Sequence, residues 1–594
     1  MKEGIVKDIF DLRSRFVIIG LTGKTGSGCT TVAEILGKSA LKDIIPPEKF
    51  ANHNGLESND QRKYNIIFNY LESNWHSFVT IKASDIIMLY ALQYSYDSFT
   101  KELKNYDISF GDKDSFDLIH KDAVTCMSYL QKRESRYLKY SIYSSEENKE
   151  YYEKKKDAER WREFIFKQLK EFVEKVKESV PNYKKLSAPM QDWGNNIRKY
   201  NYAFSTPPYD FSKECPNEGP ANLAHLMNHV IKLLRDINFK DKKKTYIVID
   251  ALRNPYEVLY FRERYAAFYL MSISTSVEQR RKNLSKFNEE EIKALDEKES
   301  PKKAPLADSF QKQDVPKCIE LSDIHVVTDG SVWEENDELK KQLMQFVALI
   351  LHPGLIPPTP EERVMQLAYT AKLNSGCLSR QVGAVVTDCH FSVKSIGWNT
   401  VAEGQTPCSL RQLEKLQLRN DQNAFSYYEL KDPKFRNKVN LLWNKYLPQK
   451  DSIGGLNLSY CFKDVYNSID DESNQVHTRS LHAEENAFLQ IVKYGGNSVQ
   501  GGYLFTTASP CVLCAKKAYQ LGIKKVYYID LYPDITLGHI FQSGMIDKRP
   551  QTEMFKGAIG RAYINLYNPI IPLKDEMEAL TGVSKHDLIE KIEE

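Results

Sequence analysis

Four residues near the end of the chain have the types and spacing of a metal-dependent hydrolytic centre. His482, Ala483 and Glu484 form a His-x-Glu run, and Pro510, Cys511, Val512, Leu513 and Cys514 form a later Pro-Cys-x-x-Cys run. Zinc favours nitrogen and sulfur ligands in a tetrahedron, and a catalytic site keeps one position open for water. His482 offers an imidazole nitrogen. Cys511 and Cys514 offer two thiolates, which cancel the charge of Zn2+. Metal binding brings the pKa of water close to neutrality. Glu484 is not needed as a ligand and has the reach of a proton shuttle beside that water.

The flanking residues supply the elements that must hold this group. Residues 485–492 have helical composition, which puts His482 and Glu484 on the first turn of a helix. Residues 502–507 read as a strand, and Pro510 introduces a helical run over 515–521. Cys511 and Cys514 then sit at a helix N-terminus, where free N–H groups and the helix dipole favour thiolates. Residues 522–528 read as the next strand. A Cys-x-x-Cys alone also fits a structural zinc knuckle or a redox pair. The histidine, the glutamate and the helix–strand–helix context separate this chain from both. Upstream, Thr359, Pro360 and Glu362 have the pattern of an N-cap, a first-turn proline and a capping box. They start a helix with Val364, Leu367, Ala368 and Ala371 on one face. Two antiparallel strands are expected within 377–386 and 395–400.

A second phosphate-type motif opens the chain. Phe16, Val17, Ile18 and Ile19 read as a strand, residues 20–31 as a glycine-rich loop, and 32–38 as a helix. Strand, glycine-rich loop and helix present backbone N–H groups to an anion. Set against Gly-x-x-x-x-Gly-Lys-[Ser/Thr], the loop Gly23, Lys24, Thr25, Gly26, Ser27, Gly28, Cys29, Thr30 aligns Gly23 and Gly28 with the glycines and Thr30 with the Mg2+-facing hydroxyl. Cys29 stands where the lysine belongs. Lys24 either replaces that lysine in part, as in variant P-loops with an early lysine, or is simply solvated. Residues 244–250 form an apolar run ending in Asp250, residues 266–273 a further strand, and 318–330 resemble the closing strand of small-molecule kinases. Residues 186–200 resemble an acceptor-binding segment of nucleoside monophosphate kinases. Residues 149–177 interleave Glu and Lys with aromatics, as exposed or partner-packing helices do. Residues 277–317 read as a lid or insertion.

At 594 residues the chain exceeds one core. A proline-rich linker over 349–360 divides it into 1–352 and 353–594. The fold class expected is α/β: a P-loop domain that resembles small-molecule kinases, followed by an α/β/α domain that resembles cytidine deaminases. A formal charge of +3 gives no strong attraction to polyanions. No apolar run approaches the ~20 residues that span a bilayer. Ten scattered cysteines fit a reduced, cytoplasmic protein better than a disulfide framework.

The His-x-Glu and Pro-Cys-x-x-Cys pair resembles the signature of zinc-dependent nucleobase deaminases. With Arg380-Gln381-Val382-Gly383-Ala384-Val385-Val386, Gly397-Trp398-Asn399-Thr400 and Leu521-Gly522-Ile523, residues 361–544 resemble deoxycytidylate deaminases in particular. That resemblance implies that Asn399 binds the deoxyribose hydroxyl and that Tyr532 lines the nucleotide pocket. It also implies a candidate second, structural zinc at Cys377, Cys408 and His477, with no fourth ligand evident. Joined to a degenerate P-loop module, the chain resembles bacterial two-domain anti-phage deaminases. This family implies removal of dCTP and dCMP, a regulatory nucleotide (with Mg2+) on the P-loop, a homo-oligomer, and inhibition by an RNA or protein. Residues 400–480 are a long insertion for such a family, placed to cover the pocket or build an oligomer contact. Two other readings remain: a polynucleotide deaminase, which would want a basic groove with stacking aromatics, and a nucleotide-driven binding switch on a deaminase scaffold.

Overall fold

The computed structural model of the chain describes residues 2–45, 58–132, 155–180, 186–208, 219–239, 243–300, 309–328, 337–472, 474–495, 498–530 and 536–583. It divides into two compact units, Met1–Pro357 with Ile564–Glu594, and Pro358–Tyr563. The sequence reading assigned everything after 352 to the second domain. The chain instead returns to the first unit at Ile564. There His352 Nε2 meets Glu576 Oε1 at 2.9 Å, Arg13 donates to the Asn565 carbonyl at 2.8 Å, and the Gly354 N–H donates to the Leu566 carbonyl at 2.8 Å. These pairings join residues far apart in the chain, so no local pattern announces them.

In the first unit, α1 (Lys2–Ser14) leads into β1 (Phe16–Thr22) and then, through the glycine-rich turn, α2 (Cys29–Leu36). The sheet is completed by β2 (Val79–Lys82), β3 (Thr245–Asp250), β4 (Phe268–Thr275) and β5 (Ile324–Thr328). These strands are parallel and lie in the order β5-β4-β1-β3-β2. Parallel strands covered on both faces read as continuous apolar runs, and Val17, Ile18, Ile19, Ile247, Val248 and Ile249 are all buried. β1 and β4 are neighbours, and the chain leaves β1 toward β2 on one side of the sheet but leaves β4 toward β5 on the other. In open α/β sheets that switch point, at the carboxyl ends of the strands, is where ligands bind.

Four segments singled out in the sequence of this unit can be placed in the structure. The described part of 318–330, residues 318–328, is not one strand. Asp314 caps, and Pro316 opens, a short helix (Val315–Glu320) before β5 begins. The aromatics of the described part of 149–177 are not exposed. Trp161, Phe164 and Phe172 enter the main core, leaving the charged residues outside. In 186–200, Arg198 is buried against Glu257 at 2.8 Å, which commits it to packing. Residues 277–300, expected as part of a lid or insertion, form two helices, α3 (Val277–Asn283) and α4 (Glu289–Glu299).

The second unit opens on α5 (Pro360–Ala371), with Thr359 as N-cap and Glu362 closing the capping box. Val364, Ala368 and Ala371 are buried as the spacing predicts, but Leu367 is exposed and Met365 takes the core position. Its sheet contains β6 (Gly383–Thr387), β7 (Val393–Trp398), β8 (Tyr503–Ala508), β9 (Lys525–Asp530) and β10 (Gln551–Met554), in the order β10-β9-β8-β6-β7. β6 is antiparallel to β7 and β8, whereas β8, β9 and β10 are parallel. Alternate residues point to opposite faces. Ala384, Val386, Leu504 and Val526 pack on α6 (Ala483–Tyr494) and α7 (Val512–Gln520). Val385, Phe505 and Tyr527 pack on α5.

Residues 400–480 build a separate small core around Leu413, Phe425, Phe435, Val439 and Tyr460. Inside it, the fully buried Arg411 and Glu429 form an ion pair. The insertion leaves and re-enters through a two-residue ladder, Thr400 opposite Leu481 and Val401 opposite Ser480, immediately before His482. Gly397 of β7 lies beneath α6. A Cβ there would stand 2.4 Å from both the Ala483 carbonyl oxygen and the Ala487 nitrogen. Gly397→Ala is therefore expected to push α6 off the sheet, cost about 1–3 kcal/mol and lower bound metal. Thermal unfolding with metal analysis checks this; wild-type values for both would contradict it.

Candidate active site

His482 is the N-cap of α6 and Cys511 the N-cap of α7, with Cys514 one turn inside. The helices begin side by side, and His482 Nδ1 lies 3.3 Å from Cys511 Sγ and 3.5 Å from Cys514 Sγ. Among the described residues, this is the one group of three or more His, Cys, Asp or Glu side chains whose ligand atoms all lie within 4.8 Å of one another. Zn–S and Zn–N bonds at a tetrahedral angle place nitrogen and sulfur about 3.6 Å apart. The donor set and spacing fit zinc with a fourth position left over.

Electrostatics agree with that assignment. The Cys514 thiol and backbone N–H, together with His482, hold the Cys511 thiol down to about 4. The same shared hydrogen bond, with burial, pushes Cys514 up. Without metal the pair thus keeps one proton, and the Cys511 thiolate in turn raises His482. Glu484 follows on the first turn of α6, 4% exposed, and burial raises its carboxyl against a lowering hydrogen bond from Cys514. A carboxyl raised toward neutrality beside a hydrolytic centre can both take and give a proton.

A residue the sequence reading passed over braces the pair of helices. Glu485 accepts from the His482 backbone N–H at 3.4 Å and pairs with Lys517 of α7. Its signal was the capping position, N3 of α6. Arg380 was likewise noted only as part of a motif. It pairs with Asp530 at 2.7 Å, and the Asp530 carbonyl accepts from the Ser509 N–H at 2.8 Å, just before the cysteine turn.

Asn399 is buried beside this region, but its carboxamide is engaged by backbone. It accepts from the Val382 N–H at 2.8 Å and donates to the Arg380 carbonyl at 2.7 Å. It therefore ties the approach to β6 to the exit of β7. Tyr532 lies outside the described residues. Cys377, Cys408 and His477 do not gather. Cys408 is buried with Arg479 3.8 Å from its sulfur, and His477 packs on Tyr466 with ring centroids 4.1 Å apart. Cys408 and His477 thus have other partners, and among the described residues the three do not form a metal-ligating group.

In the first unit the glycine-rich turn has Gly26 and Gly28 at φ 86° and 104°, conformations that side chains disfavour. A Cβ at Gly23 would strike Ser27 Oγ and the Ile273 carbonyl. Thr30 Oγ1 donates to Asp250 Oδ2 at 2.9 Å, joining the start of α2 to the end of β3. Cys29 is buried, and burial with Asp250 nearby pushes its thiol up to about 12, so it is neutral. Lys24 and Thr25 are half-buried on the turn, and Ser27 is buried.

Residues 358–530 match the family described as cytidine and deoxycytidylate deaminase zinc-binding region, beginning at the boundary of the second unit. The chain is 29% identical over 169 residues to the deoxycytidylate deaminase of Enterobacteria phage T4, which covers 28% of this chain and 77% of that protein. It is 44% identical over 54 residues to ComE operon protein 2 of Bacillus subtilis (strain 168), covering 9% of this chain and 28% of that protein. The solved dCMP deaminase of cyanophage S-TIM5, in its apo form, aligns along 100% of its length with 34% of this chain, at 21% identity and a TM-score of 0.20. The second unit is a zinc-dependent deaminase domain, of the class that hydrolyses an amino group from a nucleobase. The protein is accordingly an enzyme, a hydrolase. Among the described residues, no helix is long and apolar enough to cross a membrane.

Zinc must displace the proton shared by the two cysteines and, at lower pH, the one on His482. Metal affinity should therefore fall as pH falls, by about ten-fold per pH unit for each proton displaced. Competition with a chelator across pH 5–8 measures this, and a flat profile would contradict the ligand set. Cys511→Ala should lose the metal outright.

Proposed function

We propose that the second unit deaminates free deoxycytidine nucleotides, dCMP or dCTP, and that the first unit is a P-loop nucleotide-binding module that regulates it. The observation that carries the substrate reading is the His482–Cys511–Cys514 group with buried Glu484, set in a domain that aligns with most of a phage deoxycytidylate deaminase. Glu484 takes one proton from the attacking water and passes it to the ring nitrogen, then carries the remaining hydroxyl proton to the departing amino group. Oxygen is then bonded to the ring carbon and ammonia leaves. Zinc, when held by His482, Cys511 and Cys514, supplies the Lewis acidity that makes water nucleophilic at neutral pH. By the resemblance, Asn399 and Tyr532 face the nucleotide. The same resemblance supports a cytoplasmic, oligomeric enzyme that depletes nucleotides during phage infection.

The P-loop reading rests on the turn at the sheet's switch point, with Gly26 and Gly28 at positive φ and Thr30 on Asp250. Such a turn supports phosphate binding. A neutral Cys29 brings no charge to phosphoryl transfer. The loss of comparable electrostatic stabilisation costs about two to three decades in rate, so the module binds nucleotide and is a poor kinase.

Ammonia release from dCMP, dCTP, cytidine and single-stranded DNA tests the substrate reading. Turnover confined to the polymer would overturn it. Glu484→Ala should keep zinc and lose about two to four decades of activity; wild-type turnover would remove the glutamate from its role. For regulation, nucleoside triphosphates should change the deamination rate of the wild type but not of Thr30→Ala. Identical responses in both proteins would end the regulatory reading.

A further inference from the structure

The glycine-rich turn is already in contact with an anion. Glu299, the last residue of α4 and 1% exposed, directs its carboxylate at the turn. Its two oxygens accept from the Thr25 backbone N–H at 3.0 and 3.2 Å, and the Thr25 hydroxyl also donates to it. Arg253 pairs with the same carboxylate and donates to Thr25 Oγ1 at 2.9 Å. One turn earlier on α4, Asp296 receives both terminal nitrogens of Arg280 at 3.0 and 2.6 Å, while Arg280 Nε donates to the Thr25 carbonyl at 2.8 Å. Helix α3 closes the arrangement. Asn283 donates to the Gly26 carbonyl at 2.9 Å, and Leu284, just past the helix, packs on Gly26.

Fixing α4 in place does not by itself require this geometry. A buried ion pair is weak evidence for stability, because desolvating both charges offsets their attraction. Glu299 does more than pair with Arg253, since it also takes a backbone N–H of the turn. A turn N–H beside a guanidinium is what a phosphate oxygen seeks. Arg253 and Arg280 bring two positive charges to the turn, and α4 answers them with two carboxylates.

We infer that Glu299 is an internal anion standing in for phosphate, and that the polyphosphate of a nucleoside triphosphate binds the turn by displacing it. The incoming phosphate takes over the Thr25 N–H and Arg253, and frees Arg280 from Asp296. This inference rests on the P-loop reading of the first unit. Displacement moves α4, which is also held by Lys298 on Asp192 at 3.2 Å. The nucleotide-free protein is therefore self-occupied, and apparent affinity is reduced by the fraction of molecules in which Glu299 is away.

The test uses the full chain with ATP–Mg2+ and, separately, inorganic tripolyphosphate. Glu299→Gln keeps the shape and removes the charge. If Glu299 occupies the turn about 90% of the time or more, the variant binds both ligands at least about ten-fold more tightly than wild type. Hydrogen exchange on the wild type needs no variant: amides of residues 289–299 should exchange faster when ligand is bound. Binding by wild type with no gain in Glu299→Gln, and slower or unchanged exchange in 289–299, would make Glu299 a structural residue and leave the nucleotide reading standing. Absence of binding to either ligand in both folded proteins would overturn that reading and this inference together.

Discussion

Three ligand atoms carried by two separate helices must meet within bonding distance of a single ion, and the architecture of the second unit serves that constraint. The meeting works because α6 and α7 both begin near one end of the sheet. α7 follows β8 after a short turn through Ser509 and Pro510. α6 is brought down onto β7 at Gly397, where even a methyl group would collide with helix backbone. Glu485 and Lys517 then bridge the two helices beside the ligands. An exposed pair of this kind is worth at most about 1 kcal/mol, so its contribution is alignment more than stability. The long insertion leaves this geometry intact because it has its own core and closes its own base before His482.

The same physics recurs in the first unit. At the cysteine turn, the Cys514 N–H stabilises negative charge on Cys511. At the glycine-rich turn, the Thr25 N–H does so for the Glu299 carboxylate. Both use backbone donors where a strand gives way to a helix, a region with unpaired N–H groups and a favourable dipole. In one case the anion belongs to the metal-ligand set, and in the other it comes from a distant helix.

Local chemistry was readable in the sequence, and long-range pairing was not. The cluster of His482, Cys511 and Cys514 and the Thr359 cap are set by residues close together or by a paired motif, and each lies where its spacing puts it. Most strands of both sheets were legible from apolar runs, with boundaries shifted by a few residues, but the four-residue β2 and β10 were not read. Leu367 and Met365 exchanged roles because a helix stripe read from spacing does not fix which edge is covered. The return of the chain at Ile564, the burial of Trp161 and Phe172, and the reach of Glu299 to Thr25 depend on residues with no sequence relation to their partners. The triplet Cys377, Cys408 and His477 came from resemblance alone, and here each of Cys408 and His477 has a different neighbour.

The central claim is that one catalytic zinc is held by one imidazole and two thiolates with an open position. X-ray absorption at the zinc edge, on the full-length protein as purified, reports ligand type and number directly. The account predicts two sulfur scatterers at about 2.3 Å and two lighter nitrogen or oxygen scatterers at about 2.0–2.1 Å. A shell of four sulfurs, or one without sulfur, would contradict it.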